Sequence, residues 1–310
     1  MWGMEEGPSS PWPRIHRHPS IVCSALRRQR MASLTRAGLV QIVKQLKDLA
    51  VEKGHRGGKL TSHDLCAIFT DRFFVGEDRT FYGSTLGFKF HPKERFHHCY
   101  SADRPSVIIT YTWAGVCLDS DLPKFLDMAD ILIGCPDSNR TYWLDIFFND
   151  QNNPNGIEND LRVADELYQS TRYHVVILFN RALQRGWCCN EVATRIMYVM
   201  EKEGLNEEQA AELMLNGDSR LPIPVIVQDL TDLYEDVWDG AASRLANMET
   251  SVKEDKISIR AKILKSMPEE RFNLLMLLFR NSALGSHARR HPVQSWTVIA
   301  IPARYPWLRS

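Results

Sequence analysis

The stretch RGWCCNEV, residues 185 to 192, gathers Trp187, Cys188, Cys189 and Glu191, so residue type alone offers a thiol, a metal pair or a carboxylate. A nucleophilic cysteine needs a base within hydrogen-bond reach, and the nearest candidate in sequence is His174. Adjacent residues on a helix point roughly 100° apart, which is poor geometry for two ligands of one metal. Against both readings, Cys188, Val192, Ile196 and Val199 recur at helical spacing and with Cys189, Ala193 and Met200 make a wide apolar stripe. The cysteines are therefore expected to be small core residues. Glu191 falls at the edge of that stripe, four residues before Arg195, where it is either a working carboxylate or half of a surface ion pair.

Two other clusters hold chemistry-bearing residues and fail on spacing. His91, His97, His98 and Cys99 are metal-ligand types, but the adjacent pair His97 and His98 fits no common closed zinc site, so a surface loop and no metal are expected. Gly58 and Lys59 resemble the end of a phosphate loop. That loop needs a glycine where Lys53 stands and a Ser or Thr where Leu60 stands.

The elements that must position Glu191 are read from periodicity. A helix from about Leu34 carries Leu39, Ile42, Val43, Leu46 and Leu49 on one side and ends at Gly54, Gly57 and Gly58. SHDLCAIFTDRFF predicts a second helix capped by Ser62. Beyond Pro105, SVIITYTW, TYWLDIFF, YHVVILF and IPVIVQD predict buried strands, alternating with helices over DLPKFLDMADILIG, ENDLRVADELYQS and WCCNEVATRIMYVMEKEG. Strands separated by helices of this length require right-handed crossovers, hence an α/β fold with an open, doubly wound, mostly parallel sheet and flanking helices. Ligands of such sheets sit beyond the carboxyl ends of the strands. NDQNNPNG, with its Asn, Pro and Gly, predicts an irregular loop over 149–159. DLYEDVWDGAASRLANM and EDKISIRAKILKSMPEERFNLLMLLFRN predict further helices, the second with Ile257, Ile259, Ile263, Leu264 and Met267 on its apolar side.

In this order, VIITYTWAG, YWLDIFFNDQ, STRYHVVILFN and RGWCCNEV resemble the TIR domain, including its W-C-x-x-E spacing at Trp187, Cys188 and Glu191. The segment around Trp143, Leu144, Asp145, Asp150 and Gln151 is also similar to the W-I-D-x-x-C-I-x-Q signature of the heterokaryon-incompatibility (HET) domain, a TIR relative. The resemblance implies a flavodoxin-like strand order and covers about residues 104–240. Around it stand a basic leader over 1–30, an N-terminal helical segment and connector over 31–103, C-terminal helices over 241–285 and an unstructured tail over 286–310.

The resemblance further implies cleavage of the nicotinamide–ribose bond of NAD, with Glu191 as the catalytic carboxylate and NAD as substrate, no cofactor being required. A single carboxylate suffices for this reaction. The pyridinium departs neutral, so no acid need protonate the leaving group, and one anion stabilises the ribosyl cation. An early position in its helix is expected to keep Glu191 ionised through the helix dipole. Thr112 and Trp113 at the end of the first predicted strand, Asp145 and Phe147 at the end of the second, and Trp187 are the expected substrate-binding residues on the family's pocket face. The expected role is defence or cell-death signalling with self-association. The alternatives are a non-enzymatic scaffold of the same fold and a sensor that binds a nucleotide without turnover.

Composition limits the partners. The 310 residues are 44% hydrophobic, enough to bury a substantial core, and the formal net charge is zero, which lacks the basic excess of a nucleic-acid binder. No apolar run approaches the length of about eighteen residues that a membrane span needs, so no membrane partner is expected. Seven cysteines without framework spacing point to reduced thiols and a cytoplasmic location. The leader lacks acidic residues from Gly7 to Lys47 and collects Pro and Arg, a composition that joins no core and is also seen in transit peptides.

Overall fold

A computed structural model of the chain describes residues 33–52, 54–55, 58–69, 72–75, 80–83, 97–134, 139–149, 154–179, 181–226, 244–250 and 253–290. The leader expected over 1–30 lies outside the described residues, as does most of the helix expected over 232–248, whose described end is turn.

The sheet has six strands. They are β1 (Ser33–Thr35), β4 (Tyr100–Ser101), β5 (Val107–Thr110), β6 (Thr141–Trp143), β7 (Tyr173–Leu178) and β8 (Ile223–Ile226), in the spatial order β4-β1-β6-β5-β7-β8. The four strands predicted beyond Pro105 pair in parallel, β6 with β5, β5 with β7 and β7 with β8. Taken by chain position they run second, first, third, fourth, the flavodoxin-like order, whose switch point lies between β5 and β7. Ser33–Thr35 and Tyr100–Ser101 extend the same sheet antiparallel, so the segment 31–103 supplies an edge to it. A separate hairpin joins β2 (Arg72–Val75) to β3 (Thr80–Gly83).

Strand β7 shows how the pleat divides the core. Val175 and Ile177 join an apolar cluster with Leu39, Ile42 and Leu46 of α1 (Arg36–Glu52) and Phe125 and Leu126 of α3 (Leu122–Ile133). Val176 and Leu178, on the opposite face, join one built from α6 (Gly186–Glu203), α7 (Glu207–Leu215) and α9 (Glu269–Arg290). Both clusters bury Leu, Ile, Val and Phe side chains almost completely, the main favourable term for a sheet covered on two sides. Helix α1 sits tightly on the edge, because a Cβ at Gly38 would stand 2.2 Å from the carbonyl oxygen of Cys99.

Several boundaries differ from expectation, each for a local reason. Leu34 belongs to β1 and the helix starts at Arg36. Helix α2 (Ser62–Phe69) is capped by Thr61, whose hydroxyl accepts the Asp64 N–H while the Asp64 carboxylate accepts the Thr61 N–H; Ser62 instead bonds the Tyr111 hydroxyl. TYWLDIFF is strand only to Trp143, then a helical turn, α4 (Asp145–Phe148). The irregular loop expected over 149–159 is shorter, since α5 (Pro154–Ser170) begins at Pro154, a residue suited to the first helical position. The long C-terminal helix is broken at Pro268 into α8 (Lys253–Ser266) and α9. Ile259, Ile263 and Met267 are buried as expected, whereas Ile257 is 71% exposed and Leu264 43%. Helix α9 continues to Arg290, into the stretch expected as tail, and residues 291–310 lie outside the described residues.

The start of α6 is pinned by the C-terminal region. Gly186 N–H donates to the Glu249 carbonyl at 2.8 Å, and Glu249 N–H donates to the Gln184 carbonyl at 2.7 Å. A Cβ at Gly186 would lie 3.0 Å from Thr250 Cγ2 and 3.1 Å from Met248 Sδ, so any larger residue would have to push these side chains back by a few tenths of an ångström.

Candidate active site

Thr110 closes β5, and α6 follows β7, so the β5–β7 switch point brings the carboxyl end of one strand against the helix leaving the other. There the Thr110 hydroxyl donates to Glu191 Oε2 at 2.6 Å and meets His174 Nε2 at 2.8 Å. Thr110 and His174 reach each other because both point to the α6 face: Thr110 pairs with Val176 and Ile108 with His174 in register. Glu191 keeps partial solvent access. Burial first, and the nearby Asp145 charge second, push its carboxyl up from 4.5 to about 8, against hydrogen bonding from Thr110 and Tyr168.

Asp145 is close enough for its charge to act on Glu191. One carboxylate oxygen accepts the Trp113 indole N–H at 2.8 Å and the other accepts the Ile146 N–H at 2.7 Å, which starts the turn of α4. Burial raises this carboxyl from 3.8 to about 6, although Trp113, Ile146 and Tyr111 all favour its charged form. Two carboxyls with raised values, coupled through space, make a site that binds protons at neutral pH and would release them to a cation.

Aromatic rings pack beside these groups. Tyr168 of α5 stands edge-on to His174, with ring centroids 5.0 Å apart, and edge-on to Trp143 at 6.2 Å. Burial holds the Tyr168 phenol well above its usual value and, with Arg195 nearby, holds His174 well below its own. His174 is thus a neutral ring, 0% exposed.

Of the residues expected at the site, Glu191, Asp145 and Trp113 are brought together. Three are not. Thr112 is buried, and its hydroxyl donates to the Phe179 carbonyl at 3.1 Å, tying the ends of β5 and β7. Phe147 is 0% exposed and belongs to the core, as the inward residue of α4. Trp187 donates its indole N–H to Asp255 at 3.1 Å and packs with the C-terminal helices.

The other readings of RGWCCNEV are decided by contacts. The Cys188 thiol donates to the Tyr111 carbonyl at 3.6 Å and the Cys189 thiol to the Leu183 carbonyl at 3.1 Å. Both are buried, and burial raises both thiols, Cys189 to about 12, which suppresses the reactive thiolate. His174 is turned to Thr110. Among the described residues no group of three His, Cys, Asp or Glu could hold a metal ion. The Glu191–Arg195 ion pair is replaced by a different arrangement: Arg195 donates to the carbonyls of Tyr168, Gln169, Thr171, Arg172 and Arg220 at 2.7–3.2 Å. The expectation that the dipole keeps Glu191 ionised is also corrected. Helix α6 starts at Gly186, so Glu191 lies beyond its first turn, where the dipole has weakened and burial prevails.

Sequence reasoning missed Thr110 and Tyr168 and gave His174 the wrong partner. The available signal was a polar ring inside the apolar strand YHVVILF, since a polar group buried on a sheet needs a hydrogen-bond partner on the same face. Compared with family models, curated proteins and solved structures, the chain has no significant match. Among the described residues no helix is long and apolar enough to cross a membrane.

Proposed function

We propose that the chain is a TIR-like NAD glycohydrolase with Glu191 as its catalytic carboxylate. The observation that carries this reading is the carboxyl of a half-buried glutamate, raised to about 8 by burial at the β5–β7 switch point, with a second carboxyl and an indole nearby. NAD brings a positive pyridinium ring. That charge favours ionised Glu191, so binding is coupled to loss of its proton. The bond between ribose and nicotinamide then breaks with its electron pair on the ring nitrogen, nicotinamide leaves neutral, and Glu191 stabilises the ribosyl cation from a low-dielectric site. Water adds to the cation and gives up one proton, so NAD and water yield ADP-ribose, nicotinamide and a proton. Trp113, fixed by Asp145, offers a ring face for a base or the nicotinamide.

The test compares nicotinamide release from NAD by the unmodified protein and by Glu191→Gln, at equal concentration and matched oligomeric state. Glutamine keeps shape and hydrogen bonding while deleting the charge. The expected outcome is a folded variant slowed by roughly a hundredfold or more. Equal rates reject Glu191 as the catalytic residue, and no turnover by the unmodified protein rejects the enzyme.

A second reading, a self-associating scaffold, draws support from Ile257 and Leu264, exposed two turns apart on α8. Replacing both by Asp should abolish concentration-dependent growth in mass by light scattering if that face assembles.

A further inference from the structure

One of the two Glu191 oxygens is tied to a buried threonine and, through it, to a buried histidine. Glu191 Oε2 accepts from Thr110, whose single hydroxyl proton is then used, so the Thr110 oxygen must receive a proton from the other neighbour, His174 Nε2. The ring then carries its proton on Nε2 and leaves Nδ1 as a bare acceptor. That agrees with Nδ1, which is buried and has no partner. The opposite direction, Glu191 to Thr110 to His174, would put the ring proton on Nδ1 and strand an N–H donor in the core, which folded proteins avoid more strictly than an unused acceptor. His174 cannot escape by taking a second proton, because it is fully buried with Arg195 close by.

We propose that His174 and Thr110 are positioning residues that form a one-way hydrogen-bond relay into Glu191, holding Oε2 as a permanent acceptor and leaving Oε1 as the oxygen that gains and loses the proton. The relay itself follows from distances, burial and the proton count at Thr110. That Oε1 is also the oxygen presented to substrate rests on the NAD glycohydrolase reading. The relay opposes the groups that disfavour the Glu191 charge, which are Asp145 from α4, Asp165 from α5 and the enclosing protein; the Tyr168 hydroxyl of α5 assists it. Cys188 and Cys189, the titratable neighbours on α6 itself, remain neutral thiols, and Arg195 faces the His174 side.

The test uses the full chain without NAD, so it stands or falls separately from the enzyme reading. Carbon-13 carboxyl titration by NMR, with the Glu191 resonance assigned by its loss in Glu191→Gln, reads the Glu191 midpoint. Nitrogen-15 spectra of the His174 ring read its tautomer. Thr110→Val keeps shape and β-branching but removes the hydroxyl, and should raise the Glu191 midpoint by roughly one unit or more. Thr110→Ser should restore it. In the unmodified protein the His174 ring should carry its proton on Nε2 and stay neutral across the whole titration. A Glu191 midpoint unmoved by Thr110→Val overturns the relay, and so does a His174 ring protonated at Nδ1, a measurement that needs no variant to fold.

Discussion

Arg195 and Glu191 stand one turn apart on α6, and both are drawn toward the protein interior, yet they are provided for in opposite ways. Arg195 is 4% exposed and gives its guanidinium to five backbone carbonyls at the end of α5, the strand connection after it and the turn before β8. These include carbonyls that a helix C-terminus leaves without partners, so the cation joins α6 to α5 and to the sheet's lower end. Glu191 receives Thr110, with help from Tyr168, and faces a second acid. A buried charge with every hydrogen bond made is part of the frame. One left short of partners, with an unfavourable charged state, is held ready for something else to complete it.

Removing the framed charge should have the larger effect on folding. Arg195→Met is expected to lose on the order of 3 kcal/mol of stability in urea titrations, because several carbonyls lose a charged donor together. Arg195→Lys should recover only part, since an ammonium cannot fork to them. Glu191→Gln should do the reverse and stabilise the protein.

The pH dependence sharpens the contrast. Glu191 and Asp145 are both raised in the fold, so between the ordinary carboxylate range and about 8 the native state binds more protons than the unfolded chain. Stability contributed by these groups is therefore greatest in acid and falls as pH rises toward 8, by on the order of 1–2 kcal/mol after allowance for partial solvent access. Melting curves of Glu191→Gln should lose most of that slope. Under the proposed NAD-cleaving activity turnover should run the other way, with nicotinamide release per substrate encounter climbing with pH toward about 8 as Glu191 ionises in the free protein. Asp145→Asn removes the like charge and should move that rise about one unit toward acid, which the pH profile of kcat/KM reads. The smallest effect is expected at the cysteines. Cys188→Ala and Cys189→Ala should each cost about 1 kcal/mol and leave the Glu191 titration where it is.

The parallel strands were legible because Val107 to Thr110, Tyr173 to Leu178 and Ile223 to Ile226 are short, mostly apolar runs rich in Val and Ile between helical patterns. The stripe from Cys188 to Met200 was legible for the same reason. What stayed hidden needs distance in three dimensions. Thr110 is one of several threonines, and nothing local says that its diagonal neighbour on the next strand is His174. The five carbonyls around Arg195 belong to three separate stretches of backbone. The strands β1 and β4 are too short to show alternation, and Pro154 looks like a loop residue until it is seen to open a helix. That Phe147 enters the core and Trp187 reaches Asp255 likewise depends on partners distant in sequence.

The glycine at the start of α6 ties the helix that carries Glu191 to residues 248–250. Glu191 sits five residues beyond Gly186, about 7.5 Å along the helix axis. With the helix hinged at that point, a tilt of about 10° would swing residue 191 by roughly 1.3 Å, enough to part its 2.6 Å contact with Thr110. Displacements near 1 Å in a reacting group are worth about a hundredfold in rate. Residues 248 to 250 therefore act on the carboxylate as a short lever arm does, and the side chain at position 186 sets how firmly that lever is clamped.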